Sequence, residues 1–247
     1  MSRGVARPHP GAGQASGARM ARTRYMRERK AMLAACREMD RLGINQGTAG
    51  NVSVRVPGGF VVTPTGVPYD VLEPGMMVEM DFAGRHRGGM LPSSEWRFHR
   101  DILARRPDAN AVVHCHAMFS TTLAIARMEI PPLHYMIAAA GGPTIRCAAY
   151  ATYGTQELSD AALAALEGRR ACLLANHGMI AIGADLAKAL RLAVEVETLA
   201  AQYWRTLQVG GPKLLSQDEI AVVLGKFASY GQQPGKRRGG RLPRRRG

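Results

Sequence analysis

The chain has 247 residues, 46% of them hydrophobic, which is enough to bury the core of one large domain or two small ones. No apolar run reaches the roughly 18 residues of a membrane helix, and residues 1–20 lack the apolar segment of a secretory signal, so we expect a cytoplasmic protein without membrane spans. The formal net charge of +14 would fit a polyanion-binding protein, but its distribution argues against that reading for the folded part.

The excess positive charge lies at the two ends of the chain. Residues 1–30 hold eight basic side chains and one acid, and residues 236–247 hold seven basic side chains and no acid, which leaves 18 of each sign in between. Blocks of like charge without aromatic residues are typical of solvated, disordered ends. We therefore predict a basic tail over 1–23, a folded domain over 24–233 and a second basic tail over 234–247. Nucleic-acid binding through these tails stays open as an alternative.

The first half of the domain alternates helix and strand. Apolar residues near helical spacing predict a helix over 24–42, for which Gly43 is a suitable C-cap. The glycine-rich stretch NQGTAG then leads into a strand in which Val52, Val54 and Val56 alternate, and PGGF predicts a hairpin turn into FVVTPTG. A further strand is predicted over 77–81.

The second half continues with a helix over 93–105, a buried strand in ANAVVHCHA and a helix in MFSTTLAIAR. TQELSDAALAALEG predicts another helix, with Thr155 or Ser159 as its N-cap. RRACLLANHGMIAIG indicates strand, turn and strand, residues 185–208 form the clearest amphipathic helix, and a short helix follows. Antiparallel strands mixed with helices predict an α/β or α+β fold in which helices cover a sheet.

Two histidines lie two residues apart inside an apolar strand. Side chains at i and i+2 of a strand point to the same face, so His114 and His116 should project together while Cys115 faces the other way. Two neutral imidazoles on one face supply half of a tetrahedral zinc site. The alternative is a pair of hydrogen-bonded core histidines without a metal.

A third histidine and an acid extend this set. His177 lies in LLANHGMIA, where flanking apolar strands and a following glycine predict a tight turn, and Glu95 lies in LPSSEWRFH near a helix start. Taken alone, His177 could be a core or surface residue, and Glu95 could serve only to favour the helix dipole. Together with the histidine pair they supply three imidazoles and a carboxylate.

Three short polar clusters, at 50–53, 63–66 and 93–94, place hydroxyls, amides and backbone N–H groups at predicted turns. A phosphate group binds such donors, and a helix N-terminus adds a favourable dipole. Each cluster alone is equally explained by capping and turn formation.

The chain from about 42 to 231 resembles the class II aldolase/adducin family, and within it the bacterial enzymes that act on L-fuculose 1-phosphate. The resemblance is carried by LGINQGTAGNVSVR, VVTPTGVPYD, LPSSEWRFH, RPDANAVVHCHA, IPPLHYMIAAAGG, YATYGT and LLANHGMIA. Three places depart from the pattern: Cys115 between the first two histidines, Asn176 before the third, and GGP at 141–143. None of them removes a ligand, so they bear on substrate choice more than on the chemistry.

The resemblance implies roles for particular residues. One Zn²⁺ per subunit would be held by four ligands: His114, His116, His177 and Glu95. Glu95 would also be the catalytic base, and the substrate phosphate would be bound by five residues: Asn51, Thr65, Gly66, Ser93 and Ser94. Tyr135 would donate a proton from a neighbouring subunit, and Tyr230 would be the tyrosine of the mobile C-terminal segment.

The resemblance also implies a three-layer α/β/α fold, with a central, largely antiparallel sheet between helices and a cyclic homotetramer whose active sites lie at subunit interfaces. The implied reaction is zinc-dependent retro-aldol cleavage of a ketose 1-phosphate to dihydroxyacetone phosphate and an aldehyde. The same metal site serves sugar-phosphate epimerases and methylthioribulose-1-phosphate dehydratases of the family. A non-enzymatic, adducin-like interaction module is a third alternative, but it would be expected to have lost its histidines.

Overall fold

A computed structural model describes residues 24–227 of the chain. The helices are α1 (Met26–Arg41), α2 (Trp96–Arg105), α3 (Met118–Ile125), α4 (Gln156–Ala165), α5 (Leu186–Leu207) and α6 (Gln217–Phe227). The strands are β1 (Asn51–Val56), β2 (Gly59–Val62), β3 (Val78–Asp81), β4 (His86–Arg87), β5 (Ala111–Cys115), β6 (Cys147–Ala148), β7 (Ala171–Leu174) and β8 (Gly178–Gly183). Two short 3₁₀ segments, Pro74–Met76 and Tyr135–Ala140, lie between them.

The eight strands form one sheet in the order β4-β3-β2-β1-β5-β8-β7-β6. Every neighbouring pair is antiparallel except β6 and β7, which are parallel. β5 and β8 lie side by side at the centre, where His114 pairs with Ile180 and Cys115 with Met179. The predicted α/β class with a largely antiparallel central sheet is confirmed.

Helices cover both faces of this sheet, which makes the architecture three-layered. On one face α1, α3 and α5 pack against inward residues such as Val113, and on the other α2 and α4 pack against residues such as Val112. Because successive strand residues point to opposite faces, a strand covered on both sides is apolar throughout. This explains why β5, β7 and β8 are buried along their whole lengths.

Most predicted elements are present with shifted ends. The first helix is two residues shorter at its start and one at its end, and Gly43 follows it in a left-handed conformation. The hairpin predicted at PGGF is formed by β1 and β2. Thr155, not Ser159, caps α4, since its side chain accepts a hydrogen bond from the backbone N–H of Leu158. β4 and β6, each two residues long, were not predicted.

The predicted start of the second helix at Ser93 is wrong by three residues. The backbone N–H of Ser93 donates to the carbonyl of Thr63 at 2.9 Å, and Pro64 pairs with Pro92 in an isolated bridge. These extended contacts hold residues 92–93 against the 63–65 turn, so α2 begins only at Trp96, with Glu95 as its N-cap.

Several predictions lie partly or wholly outside residues 24–227. The two basic tails, the end of the predicted domain at 233 and Tyr230 belong to them. Within the described residues, no helix is both long and apolar enough to cross a membrane.

Candidate active site

Three histidines meet at the end of the central strands. His114 is the fourth residue of β5, His116 follows its end, and His177 lies on the turn before β8. The three ring centroids are 4.9–5.0 Å apart, and one nitrogen from each ring lies within 4.8 Å of the others. Cys115 points to the opposite core. The prediction that the two strand histidines share a face is confirmed, and the group can hold a metal ion.

The turn between β7 and β8 brings His177 to this place. Asn176 adopts a left-handed conformation, with φ of 55°, which lets the chain reverse over three residues. A Cβ atom on Gly178 would lie 2.6 Å from the carbonyl oxygen of Cys115 and 2.8 Å from the His116 ring. Only glycine therefore permits this close approach of the turn to β5.

Hydrogen bonding orients the first imidazole. Nδ1 of His114 lies 2.9 Å from the carbonyl oxygen of Met179, which can only accept, so Nδ1 carries the proton and Nε2 offers a lone pair. That Nε2 lies 3.1 Å from Nε2 of His116, close to the distance of about 3.3 Å between two ligands on a tetrahedral ion with 2.0–2.1 Å bonds. Burial, with His114 and His177 nearby, lowers the pKa of His116 to about 4. The ring is neutral at physiological pH, as a metal ligand must be.

Glu95 closes the cluster from the helix side. Its Oε2 lies 3.2 Å from Nε2 of His114, and its Oε1 lies 3.1 Å from Nε2 of His177. Burial raises the pKa of this carboxyl, and positive charge among the adjacent His114 and His177 rings lowers it by more, so the net pKa is lowered; where the rings are neutral, a bound cation would supply that charge. Oε1 is buried and receives no hydrogen bond from any described residue. A buried carboxylate oxygen without a donor, beside three imidazoles, is suited to a divalent cation.

A cavity of about 380 Å³, lined in part by hydroxyl side chains, opens above this cluster. It contains all five residues predicted to bind phosphate and three of the four predicted metal ligands: Asn51, Thr65, Gly66, Ser93, Ser94, Glu95, His116 and His177. The strand contacts described above bring the 63–66 and 93–94 turns together. The family resemblance implies that both turns bind one phosphate and so lie close together, whereas the local sequence of each turn does not predict this proximity.

Asn51 and Ser53 belong to the predicted polar cluster at 50–53, but the structure gives their side chains different hydrogen-bond partners. The side-chain amide of Asn51 donates to Oε2 of Glu95 at 2.8 Å, and its carbonyl oxygen lies 2.6 Å from Nε2 of His99. The hydroxyl of Ser53 is fully buried and contacts the other ring nitrogen of His99 at 2.7 Å. Sequence analysis missed His99. Its position four residues after Glu95 on one helix face was the available signal.

Of the two predicted tyrosines, the one within the described residues, Tyr135, does not line this cavity. Tyr135 is about half exposed, begins the 135–140 segment and packs on His134 with ring centroids 4.6 Å apart. Two other tyrosines, Tyr150 and Tyr153, line the cavity mouth from the YATYGT stretch. Tyr230 lies beyond the described residues.

Comparison with known proteins agrees with this arrangement. The model of the class II aldolase and adducin N-terminal domain matches residues 30–204, which is more than half of the chain and includes all three histidines and Glu95. The chain belongs to the class II aldolase/adducin family.

Relatives within the family are enzymes named as aldolases. The 5-methylthioribulose-1-phosphate/5-deoxyribulose-1-phosphate aldolase of Rhodospirillum rubrum is 57% identical over 203 residues, covering 82% of this chain and 92% of the relative. The L-fuculose phosphate aldolase of Escherichia coli K12 is 55% identical over 201 residues, covering 81% and 94%.

A solved L-fuculose 1-phosphate aldolase superposes with a TM-score of 0.79 at 37% identity, covering 81% of this chain and 95% of that one. This class II aldolase/adducin family member is therefore an enzyme of the class II aldolase type. The names of its relatives divide between different ketose 1-phosphates.

Proposed function

We propose that the enzyme cleaves a ketose 1-phosphate to dihydroxyacetone phosphate and an aldehyde, with one Zn²⁺ per subunit. The observation that carries this proposal is the convergence of three imidazoles and one buried carboxylate at the base of a hydroxyl-lined cavity. L-Fuculose 1-phosphate or a near relative is the proposed substrate, since the relatives act on such compounds. We place the enzyme in the cytoplasm.

The proposed roles of the site residues are those that the family resemblance implies. The metal would be held by His114, His116 and His177, with Glu95 as the fourth ligand, and when bound it supplies a Lewis acid for the substrate carbonyl. The exposed hydroxyl and backbone groups of Thr65, Gly66 and Ser94, with Ser93 and Asn51, would bind the phosphate and orient the sugar.

Proton movement completes the reaction. In cleavage the hydroxyl on C4 loses its proton, the C3–C4 bond breaks as the aldehyde forms, and C3 takes up a proton. Glu95 would move the proton at C3, because it is the acid among the residues at the base of the cavity. Tyr135 from a neighbouring subunit and Tyr230 would move the proton at the aldehyde oxygen. A homotetramer with active sites between subunits is part of this proposal.

The alternatives share the metal site and differ in product. An epimerase or dehydratase would leave the carbon chain whole, and no relative named above is one. An adducin-like interaction module needs no convergent histidines, and here all three are in place.

One experiment tests both metal and reaction. Purified protein is analysed for metal content and assayed against L-fuculose, L-rhamnulose, 5-deoxyribulose and 5-methylthioribulose 1-phosphates, with products identified by mass. We expect about one zinc per subunit and release of dihydroxyacetone phosphate from at least one substrate. His114→Ala should lose the metal and more than about 100-fold of the activity, since even residues supporting a ligand contribute 10–100-fold.

The control is His86→Ala, which removes an exposed histidine of β4 outside the cavity. Normal metal content and turnover in the His114→Ala variant would contradict the proposal. If every product keeps the carbon chain of its substrate intact, the reaction is an epimerisation or a dehydration and not an aldol cleavage.

A further inference from the structure

Three side chains connect the protein interior to Glu95. Ser53 contacts Nδ1 of His99 at 2.7 Å, Nε2 of His99 contacts the carbonyl oxygen of Asn51 at 2.6 Å, and the Asn51 amide donates to Glu95 Oε2 at 2.8 Å. Ser53 and His99 are fully buried and Asn51 is 4% exposed, so water does not compete for these bonds.

Two regular elements hold the chain of bonds together. Asn51 and Ser53 are at i and i+2 of β1 and so share a face of the sheet. Glu95 and His99 are one helical turn apart at the start of α2, which places both on the helix side that faces β1. The contacts therefore join one strand to one helix.

The chemistry of the groups fixes the direction of every bond. An ionised carboxylate only accepts, so the Asn51 amide must present its NH₂ to Glu95 and its carbonyl oxygen to His99. Nε2 of His99 must then be the donor, which leaves Nδ1 to accept from the Ser53 hydroxyl. Burial, with His114 nearby, lowers the pKa of His99 to about 3, in keeping with a neutral ring that donates from one nitrogen and accepts at the other.

We propose that His99 is a positioning residue for Glu95, acting through the side chain of Asn51; the proposal rests on the aldolase function proposed above. His99 holds the amide of Asn51 so that its NH₂ group faces Oε2 of the carboxylate. Oε1 then receives no hydrogen bond from the described residues and lies 3.1 Å from His177, on the side of the cavity.

The loss of His99 has a defined consequence in this arrangement. Without the Nε2 donor the Asn51 amide can turn over and place its carbonyl oxygen against the carboxylate, which repels it. Glu95 would then lose both a hydrogen bond and its orientation, whereas of the five proposed phosphate-binding residues only Asn51 would be disturbed. The expected defect is therefore much larger in kcat than in KM.

The test is a double-mutant cycle in the retro-aldol assay. His99→Phe keeps an aromatic ring beside Phe98, whose ring centroid is 4.6 Å from that of His99, but removes both nitrogens. We expect kcat to fall about tenfold to a hundredfold, the range for a hydrogen bond to a charged group, with KM changed less than threefold. His99→Gln, which can donate to Asn51 and accept from Ser53, should recover most of the loss.

The cycle separates positioning from packing. In an Asn51→Ala background, His99→Phe should reduce kcat by less than about threefold, because its route to Glu95 is already broken. Ser159→Ala is the matched control, since Ser159 is also fully buried and donates to a carboxylate, that of Asp101, outside the cavity. It should keep kcat within twofold. Additive losses at His99 and Asn51, or wild-type kcat in the His99→Phe variant, would overturn the proposal.

A second readout needs no activity and no variant at position 99. The side-chain amide protons of Asn51, assigned by their disappearance in Asn51→Asp, should exchange slowly with solvent in the wild-type protein by nuclear magnetic resonance. Rapid exchange of these protons overturns the proposal. Because the measurement uses the wild-type protein, it remains decisive even if the His99→Phe variant does not fold. If the wild-type protein cleaves no ketose 1-phosphate, the proposed function fails, and slow or rapid exchange still decides whether this hydrogen-bond chain exists.

Discussion

The two halves of the cavity are built in different ways. At its base His114 is fully buried and Glu95 is 5% exposed, and each is fixed by other side chains or by a backbone carbonyl. At its mouth Thr65, Gly66 and Ser94 are exposed on turns. Removal of one partner from a buried network leaves the remaining polar groups without a hydrogen bond, whereas an exposed hydroxyl can be replaced by water. Substitutions at the base should therefore cost far more than substitutions at the mouth.

Glu95→Gln is the strongest test of the buried half. The three histidines should still bind the ion, because imidazole nitrogens are good zinc ligands, but the base is lost. Removing a positioned general base reduces kcat by about 10²–10⁴-fold, so we expect near-normal zinc content, a modest change in KM and a fall of that size in kcat. Exchange of solvent deuterium into dihydroxyacetone phosphate should fall in parallel.

The control for this variant is Glu157→Gln, an acid in the first turn of α4 that lies outside the cavity. It should leave both kcat and zinc content unchanged. Loss of zinc from Glu95→Gln would make Glu95 mainly a structural ligand. Wild-type exchange would place the base elsewhere and remove the proposed contrast between the two halves.

The sequence predicts those parts of the site that depend on contacts between residues close together in the chain, and it fails where the contacts join residues far apart in the chain. The strand histidines were assigned to one face because a strand has a two-residue period, and β5 confirms this with Cys115 in the opposite core. The helix start at Ser93 was wrong because the backbone of Ser93 pairs with Thr63, a residue 30 positions earlier. Local propensity carries no information on such a contact.

The role of His99 was missed for the same reason. Its ring contacts Asn51 and Ser53, which lie 48 and 46 residues away in the sequence, and only the packing of α2 beside β1 brings these side chains together. The resemblance supplied the ligand set, but the residues that orient it depend on tertiary packing.

Ser94→Ala probes the open half. Its exposed hydroxyl is proposed to bind the substrate phosphate, and a hydrogen bond to a charged group contributes about 1.5–3 kcal/mol, less where water can substitute. We expect KM to rise about tenfold or less with kcat within threefold, and the inhibition constant of inorganic phosphate to rise by the same factor. Thr198→Val, an exposed position on α5, is the control. If Ser94→Ala lowers kcat more than Glu95→Gln does, the mouth of the cavity matters more for the reaction than its base, which contradicts the proposed contrast.

Deletion of residues 1–22 and 236–247 should have the smallest effect. The chain between residues 31 and 235 carries equal numbers of basic and acidic residues, and the described fold already contains the cluster and the cavity, so neither half needs the tails. The deletion keeps Tyr230 and the whole of α1. We expect kcat/KM within about threefold of the full chain, which is less than the roughly 1.4 kcal/mol of a tenfold change. The deletion removes four basic side chains from residues 1–22 and seven from residues 236–247, and these eleven charges would attract an anionic substrate toward the open mouth of the cavity. A tail that takes part would therefore raise KM on deletion, increasingly so at low salt, and leave zinc content and kcat unchanged. A collapse of kcat in a folded, zinc-containing truncation would show instead that a tail enters the reaction itself.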